Sequence, residues 1–362
     1  MDALELPRPD DWHLHLRDGP MLRRVVPHAA AVFGRAIVMP NLAPPVTTVE
    51  QATAYRQRIL AAAPTGSTFT PLMTLYLTGE TTTGEIEKAA RSGIVHGVKM
   101  YPPGATTHSE HGVTDPRRCA PVFEAMAAHG LPLLLHGEVA GPDVDIFDRE
   151  ARFIDEVLLP LRSRHPQLRM VLEHVSSRAG AELVTGSDEL LGATFTPQHL
   201  LYNRNDLLAG GLRPHYYCMP ILKRERDREA LLEAATSGHP RVFLGTDSAP
   251  HPRDRKETAC GCAGCYTAPF ALGLYAEAFE EAGALERLEA FAGRNGPAFY
   301  GLPVNDGTVT LQRIPEDIPA AYDESGNEPD GSAGSDAGDR PPTVVPVRAG
   351  ERVTWTVRPK AA

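Results

Sequence analysis

Short apolar runs alternate with helix-forming stretches along most of this chain, and this alternation limits the folds open to it. The runs are rich in Val, Leu, Ile and aromatic residues, which is typical of buried strands. Most are separated by the length of one strand–helix–strand unit. There are eight such runs, at 11–16, 36–40, 71–77, 97–101, 131–136, 169–174, 192–197 and 241–247.

The stretches between the runs carry the signals that begin and end helices. Asp115 and Pro116 provide a capping residue followed by proline at the first helical position, and Gly130 provides a stop. Glycine is favoured just past a helix because it adopts the left-handed conformation without strain. The sequence predicts three helices that each end before a glycine, at 83–92, 115–129 and 225–237.

Eight strands joined in this way favour an α/β fold, a single (β/α)₈ TIM-type barrel with a short C-terminal extension. A doubly wound open sheet is the alternative. We expect the barrel to span 1–315. The range 316–345, most acidic at 320–342, can bury too little apolar surface to offset its ordering and is predicted to be a flexible acidic insertion. The range 346–362 contains an alternating stretch, 351–357, and is predicted to supply a C-terminal strand that packs on the barrel.

Charge and composition exclude several classes of function. The formal net charge is −10, and no cluster of Lys and Arg is present. We therefore expect no nucleic-acid partner and no binding to an anionic membrane surface. The first residues lack the basic and apolar regions of an export signal, and no apolar run is long enough for a membrane helix. We expect a cytoplasmic protein whose five cysteines are reduced thiols.

Polar side chains occur within or at the ends of the predicted strands. In a (β/α)₈ barrel the carboxyl ends of the strands form the active-site face, so polar residues collected there are candidates for chemistry. The first run carries His13 and His15. Later runs carry or end in Asn41, Lys99, His136, His174 and Asp247.

The first pair has the spacing of metal ligands. Residues i and i+2 of a strand point to the same side, so His13 and His15 can bind one cation together. Imidazole suits Zn²⁺, and the two later histidines with the aspartate would supply ligands for a second ion. The His-x-His pattern by itself is a weak signal.

Each of these residues also has a purely structural interpretation. His136 or His174 alone could be a packed histidine with satisfied ring nitrogens, and Asp247 could cap a helix. Lys99 lies within an apolar run, where a lysine is costly to bury unless its charge is removed or paired. Their joint occurrence in barrel order favours a metal site.

The order His-x-His, Lys, His, His, Asp on successive strands resembles the amidohydrolase superfamily. Within it, the chain is similar to the dihydroorotases of the compact, free-standing type. The strings that carry the resemblance are WHLHLRDG (12–19), MPN (39–41), VKMYPPGATT (98–107), LLLHGE (133–138), LEHVSS (172–177), TPQHLLYNRND (196–206), RPHYYCMPILK (213–223), LGTDSAPH (244–251), CGCAGC (260–265) and NGPAFYGLP (295–303).

The resemblance implies a binuclear site with two Zn²⁺ per subunit. Lys99 would bridge the ions as N6-carboxylysine, a carbamate that a neutral lysine amine forms with CO₂. That modification would also remove the cost of burying a lysine. The other implied ligands are His13, His15 and Asp247 for the more buried ion, and His136 and His174 for the second.

The resemblance also implies a reaction and an assembly. The reaction is the reversible cyclisation of N-carbamoyl-L-aspartate to L-dihydroorotate in de novo pyrimidine (UMP) biosynthesis. A hydroxide bridging the two zinc ions would attack the ring amide carbonyl, with Asp247 as general acid and base. The implied assembly is a homodimer.

The implied substrate carries a carboxylate, and Arg17 lies two residues past His15, on the same predicted side. A guanidinium group can bind a carboxylate in a bidentate fork. A salt bridge to Asp18 is the structural alternative. By resemblance the substrate-binding residues are Arg17, Asn41 and His251 for the carboxylate, the backbone at Met219 and Ala263, and Thr106 and Thr107 in a loop that closes over the substrate.

Other residues with ligand chemistry are not expected to bind the metals. His108 and His111 lie in the loop that follows Lys99, and neither is at a strand end. Three cysteines form a C-x-C-x-x-C motif without a fourth close cysteine, and we interpret them as loop thiols. These are Cys260, Cys262 and Cys265.

Two other functions are weighed against this interpretation. A hydantoinase- or allantoinase-like cyclic amidase would share the metal ligands but differ in the residues that bind the substrate. A non-catalytic barrel that serves as a scaffold for another pyrimidine enzyme would be expected to have a broken ligand set. Every ligand position is filled in this sequence.

Overall fold

The computed structural model of the protein describes residues 2–322 and 341–358. Eight parallel strands hydrogen-bond in chain order and form a nearly closed barrel, which confirms the predicted fold class. The strands, numbered β1 to β13 in chain order, are Ala3–Pro7, Asp10–Leu14, Arg35–Val38, Thr70–Tyr76, Val95–Met100, Leu133–His136, Met170–Glu173, Leu191–Phe195, Val242–Leu244, Thr308–Gln312, Glu316–Asp317, Arg352–Val353 and Thr356–Arg358. The barrel is β2 to β9, and each of these strands overlaps one of the predicted runs.

Helices connect the barrel strands. In chain order α1 to α13 are Pro20–Val32, Val49–Ala62, Thr83–Arg91, Ala120–His129, Arg149–Phe153, Leu159–Arg164, Arg178–Gly186, Pro197–Leu201, Arg204–Leu208, Glu225–Thr236, Arg253–Lys256, Ala271–Glu281 and Asn295–Tyr300. Short 3₁₀ turns lie at Pro116–Cys119, Pro214–Tyr216, Ala268–Phe270 and Leu285–Arg287, and π-helical turns at Ile154–Leu158 and Ala290–Arg294.

The three helices predicted from capping signals are present. The Asp115 side chain accepts a hydrogen bond from the Arg117 amide, and a 3₁₀ turn then leads into α4. Gly130 ends α4 in the left-handed conformation, at φ 67°. The segments predicted at 83–92 and 225–237 correspond to α3 and α10. Local sequence therefore fixes where these helices begin and end.

The interior of the barrel is apolar at the end where its strands begin. Trp12 of β2 is fully buried there and stacks on Tyr300 of α13, with ring centroids 4.4 Å apart. Ile37, Leu134 and Phe243 from other barrel strands belong to the same cluster. Because this end is filled, the polar side chains of the strands gather at the opposite, carboxyl end.

The barrel closes between its first and last strands at residues that the sequence analysis selected. The Asp247 amide donates to the His13 carbonyl at 2.8 Å, and the His15 amide donates to the Ser248 carbonyl at 3.1 Å. The pairing of β2 with β3 also shifts register between Asp11 and Leu14. We call the junction of β2 with the segment after β9 the seam. The seam places predicted metal ligands opposite one another.

Strands outside the barrel form two small antiparallel sheets, β1–β10–β13 and β11–β12. Strand β1 was not predicted from the sequence. Residues 323–340, most of the predicted acidic insertion, lie outside the described residues. At the two ends of that range, Tyr322 and Val344 exchange backbone hydrogen bonds of 2.8 and 3.0 Å. The proposed domain boundaries stay predictions.

All five cysteines are free thiols, as predicted. In the part of the chain that the structure describes, no helix combines the length and the apolar character needed to cross a membrane.

Candidate metal centre and substrate cavity

A cavity at the carboxyl end of the barrel gathers most of the predicted site residues. Lys99 and His251 contact residues of its wall. The wall is formed by His13, His15, Arg17, Asn41, Tyr101, Thr106, Thr107, His136, His174, Met219, Asp247, Ala249, Ala263 and Gly264.

One group of potential ligands lies at the seam. His13 Nε2 and His15 Nε2 are 3.4 Å apart, as expected for residues i and i+2 that point to one side. Asp247 Oδ1 lies 3.4 Å from His13 Nε2 and 3.1 Å from His15 Nε2. All three side chains are buried, and their ligand atoms lie within 4.8 Å of one another. We call His13, His15 and Asp247 the seam group.

The protonation of the seam group favours a cation. His13 donates its Nδ1 hydrogen to Glu173 over 2.8 Å, which leaves a lone pair on its Nε2. Burial lowers the pKa of His15 to about 3, so this ring is neutral at pH 7. Burial alone would raise the pKa of Asp247, but its contacts with His15 and His13 lower it to about 2. A carboxylate and imidazole lone pairs thus converge, and this set of donors fits a divalent metal ion.

Two more histidines face each other beside the seam group. His136 Nδ1 and His174 Nε2 are 3.1 Å apart, and burial lowers the pKa of both rings. His136 donates from Nε2 to Glu138 over 2.9 Å. A carboxylate on the far ring nitrogen fixes the tautomer of a metal-binding histidine, and His13 has the same arrangement through Glu173. Together with Lys99 of β5, these two histidines form a second group of proposed ligands. We call Lys99, His136 and His174 the loop group, because His174 begins the loop after β7.

Lys99 is the least satisfied member of the loop group. It is fully buried, and its Nζ has no hydrogen-bond partner among the described residues. Burial lowers its pKa to about 8. A lysine with a pKa near 8 has a larger neutral fraction at neutral pH than an exposed lysine, and a neutral amine can react with CO₂. The unpartnered Nζ therefore fits carboxylation and a bridging role.

A chain of buried hydrogen bonds links the two groups. Glu173 accepts from His13 and, at 2.6 Å, from the Thr194 hydroxyl. The same hydroxyl oxygen accepts from the His174 amide at 2.7 Å. His174 has φ 40° and Asp247 has φ 45°, values that are strained for residues other than glycine. Such strain is typical of functional sites, where the surrounding structure enforces it.

Asp11 supports the seam from below and was missed in the sequence. Its buried carboxylate accepts hydrogen bonds from the Thr246 amide at 2.9 Å, the Thr246 hydroxyl at 2.5 Å and the His13 amide at 3.1 Å. Burial raises its pKa to about 7. Asp11 thus joins the first and last strands directly beneath His13.

The other end of the cavity carries donors for an anion. Arg17 is held by a hydrogen bond from its Nε to the Pro250 carbonyl at 3.0 Å. Its Nη2 lies 3.0 Å from His251 Nε2, which also lies 3.0 Å from the Ala263 carbonyl. One ring nitrogen cannot both accept from Arg17 and donate to Ala263, so these donors are not fully satisfied by protein. Asn41 approaches from β3 and donates to the Thr107 carbonyl at 3.0 Å.

The alternative suggested for Arg17 does not hold. The Asp18 carboxylate pairs with the guanidinium group of Arg58, at 2.7 and 3.0 Å. The Arg17 guanidinium group therefore remains available to a ligand in the cavity.

The predicted lid loop lies against the site. Thr106 and Thr107 line the cavity, and the Ser109 hydroxyl donates to the Thr106 carbonyl at 2.6 Å. His108 contacts the Asn41 carbonyl through Nδ1 at 3.2 Å. The geometric group of metal-type ligands in the described residues contains neither His108 nor His111.

Lys256 organises the backbone on the far side of the cavity and was also missed in the sequence. It is buried, and its Nζ donates to the carbonyls of Tyr217, Cys262 and Gly264 at 2.7–2.9 Å. These bonds join the segment that carries Met219 to the cysteine-containing loop. Lys256 lies in a strongly charged stretch, where lysines are usually solvated, so the local sequence gives no sign of this role.

Comparison with known proteins agrees with this geometry. The amidohydrolase family model matches residues 11–315. The chain belongs to the amidohydrolase family. A dihydroorotase of Halorhodospira halophila is 70% identical over 98% of this chain and 99% of that protein. Within the family, the chain groups with the dihydroorotases.

Two solved structures support that grouping. The crystal structure of the Saccharomyces cerevisiae dihydroorotase in complex with 5-fluoroorotic acid is 32% identical, covers 99% of both chains and superposes with a TM-score of 0.88. The Campylobacter jejuni dihydroorotase is 35% identical, covers 99% of this chain and 98% of its own, and has a TM-score of 0.86.

Proposed function

We propose that the chain is a cytoplasmic, zinc-dependent dihydroorotase that reversibly cyclises N-carbamoyl-L-aspartate to L-dihydroorotate, for pyrimidine biosynthesis. One observation carries this proposal: a single cavity has metal-type ligands at one end and unsatisfied anion donors at the other. The 70% identity to a dihydroorotase supports the same reaction.

The ligand set fits two Zn²⁺ ions. The seam group would hold one ion and the histidines of the loop group the other, with Lys99 bridging them as N6-carboxylysine. When bound, the ions would polarise the amide carbonyl and lower the pKa of a water molecule. The support is the chemistry of the donors: buried neutral imidazoles, an anionic Asp247 and an unpartnered Lys99 Nζ.

Asp247 is proposed to move the proton. Its low pKa keeps the carboxylate ionised and able to accept a proton from the attacking water during hydrolysis. The same carboxyl group then delivers that proton to the ring nitrogen as the amide bond breaks. In the cyclisation direction Asp247 takes the proton from the carbamoyl nitrogen and returns it to the departing water.

Arg17, Asn41 and His251 are proposed to bind the substrate carboxylate. The carboxylate would supply the acceptor that the Arg17 and His251 donors lack. The yeast relative was solved with 5-fluoroorotic acid, itself a carboxylated pyrimidine, which supports a ligand of this class. The backbone at Met219 and Ala263 would hold the ring, and Thr106 and Thr107 would exclude water above it.

The test is metal content measured together with L-dihydroorotate hydrolysis. We expect two Zn²⁺ per chain and turnover that chelation abolishes and added zinc restores. Faster hydrolysis of hydantoin than of dihydroorotate would instead make the chain a hydantoinase-like amidase. A protein without bound zinc that stays inactive after zinc is added would support the scaffold alternative.

A homodimer is also proposed, on the basis of the family alone. Sedimentation velocity at micromolar concentration tests it, and a single species with the mass of one chain would refute it.

A further inference from the structure

Tyr101 is a buried residue of the cavity wall to which the proposed function gives no role. Its side chain is 1% exposed and lines the cavity. Its hydroxyl group has no hydrogen-bond partner within residues 2–322 and 341–358. A buried hydroxyl without a partner costs stability, and replacement by an apolar group of the same shape removes that cost. A functional partner that binds in the cavity would explain why the hydroxyl is retained.

The neighbours of Tyr101 place it at the reacting end of the cavity. It follows Lys99 by two residues at the end of β5, and the Lys99 Nζ lies 5.2 Å from the centre of its ring. Its ring centroid is 6.1 Å from that of His136 and 5.0 Å from that of Tyr76. Tyr101 therefore borders the proposed metal ligands Lys99 and His136.

The hydroxyl group is a donor under all ordinary conditions. A tyrosine phenol ordinarily has a pKa of about 10, so the Tyr101 hydroxyl keeps its proton at neutral pH. A neutral donor inside a cavity shielded from water stabilises charge that develops on a nearby oxygen without giving up its proton.

We propose that the Tyr101 hydroxyl donates a hydrogen bond to the substrate, at the carbonyl oxygen that gains negative charge as the ring amide is opened or formed. This inference rests on the proposed function, because it takes the amide of dihydroorotate as the reacting group. It adds a catalytic residue, immediately after β5, to the proton transfer assigned to Asp247.

Tyr300 supplies a matched control. Its hydroxyl is likewise buried and without a hydrogen-bond partner among the described residues. Unlike Tyr101, it stacks on Trp12 in the apolar cluster at the opposite end of the barrel. The two tyrosines therefore share an unsatisfied hydroxyl and differ in whether the residue lines the cavity.

The experiment compares the zinc-loaded wild type with Tyr101→Phe and Tyr300→Phe. For each protein, kcat and KM for dihydroorotate, zinc content and Tm are measured. We expect Tyr101→Phe to lower kcat by about 10²-fold, the usual effect of losing one donor to a developing oxyanion, with KM close to that of the wild type. Both variants should keep two zinc ions and melt at or above the wild-type temperature. Tyr300→Phe should keep the wild-type kcat.

Three results would overturn the inference. One is a wild-type kcat in Tyr101→Phe. Another is loss of zinc from that variant, which would assign the hydroxyl to the metal ligands. A third is a raised KM with unchanged kcat, which would mean that the hydroxyl binds substrate and transition state equally. A wild-type enzyme that binds zinc but does not turn over dihydroorotate would instead refute the proposed function.

Discussion

The seam group and the loop group are built from similar side chains but are supported differently. In the seam group, the backbones of His13 and Asp247 hydrogen-bond directly to each other, and Asp11 braces the junction. In the loop group, His174 begins the loop after β7 and Lys99 has an unpartnered Nζ. One group is held by closure of the barrel, and the other by side-chain hydrogen bonds and a lysine that fits modification.

This difference predicts that the two groups do not lose their metal ions equally easily when their residues are changed. Closing the barrel brings the seam ligands within 4.8 Å of one another as a consequence of folding. The loop group has two histidine nitrogens 3.1 Å apart and, under the proposed function, would need a modified Lys99 to complete its ligand set. We therefore expect changes in the loop group to remove one metal ion while the seam group keeps the other.

Lys99→Ala should have the largest effect. Removal of the bridging ligand should lower activity by more than the ~10–100-fold expected for outer-sphere partners, on the order of 10³-fold. Zinc content should fall from two ions to one, measured by atomic emission on the dialysed protein. A small carboxylic acid such as acetate or propionate should restore part of the activity by replacing the carbamate.

The matched control is Lys88→Ala, since Lys88 is exposed and pairs with Glu50 on the surface. It should keep the activity and zinc content of the wild type. Full activity in Lys99→Ala would refute the bridging role, and loss of both ions would break the predicted difference between the two groups.

Glu173→Gln and Glu138→Gln test the two groups with the same chemical change. Each carboxylate accepts from the ring of one proposed ligand, Glu173 from His13 and Glu138 from His136. Loss of such a partner typically weakens metal binding by about 10–100-fold. Glu173 also accepts from the Thr194 hydroxyl, whose oxygen accepts from the His174 amide. We therefore expect Glu173→Gln to weaken the binding of both ions.

Competition with a chromogenic chelator measures both affinities in each variant. We expect Glu138→Gln to lower the affinity for one ion and to leave the affinity for the more tightly bound ion unchanged. Equal weakening of both ions in Glu138→Gln would show that the groups are not independent.

Glu150→Gln tests what holds His174 in place. The buried Glu150 carboxylate accepts from the amides of Ser176 and Ser177 at 2.9 Å and from their hydroxyls at 2.6 and 2.5 Å. An amide group cannot accept all four, so we expect a loss of about 2–4 kcal/mol in the free energy of unfolding, measured with urea. The same substitution should also lower the affinity of the loop group for zinc.

Glu182→Gln provides the comparison for that change. Glu182 lies on α7, and its side chain is 66% exposed. Its substitution should change stability by less than about 0.5 kcal/mol. If Glu150→Gln were equally mild, the loop after His174 would not depend on this carboxylate.

The sequence pointed to the proposed ligands more readily than to the residues that support them, and the reason is physical. His13 and His15 are related by strand periodicity, and His136 and Asp247 by their position at strand ends, so short-range rules select them. The supports depend on contacts across the fold. Asp11 meets Thr246 from 235 positions away in the chain, and no local pattern indicates that pairing.

Lys256 and Tyr101 show two further limits of sequence reading. A lysine in a charged stretch is usually solvated, and only the three converging carbonyls identify Lys256 as a buried donor. Tyr101 ends the predicted strand that carries Lys99, but an aromatic residue beside a barrel core usually serves packing. The observation behind its proposed role is the missing partner of its hydroxyl, which a sequence cannot show.

Removal of residues 323–340 should have the smallest effect and leave both groups intact. Tyr322 and Val344 are already joined by two backbone hydrogen bonds, and the Arg253 amide binds the Thr343 carbonyl at 2.9 Å. A short Gly-Ser linker from Tyr322 to Pro341 can therefore close the chain without moving these contacts. We expect unchanged zinc content and kcat, with stability raised by about 1 kcal/mol because a shorter loop loses less entropy on closure. A large fall in kcat would instead show that this acidic segment takes part in the reaction, and loss of one ion alone would show which group it supports.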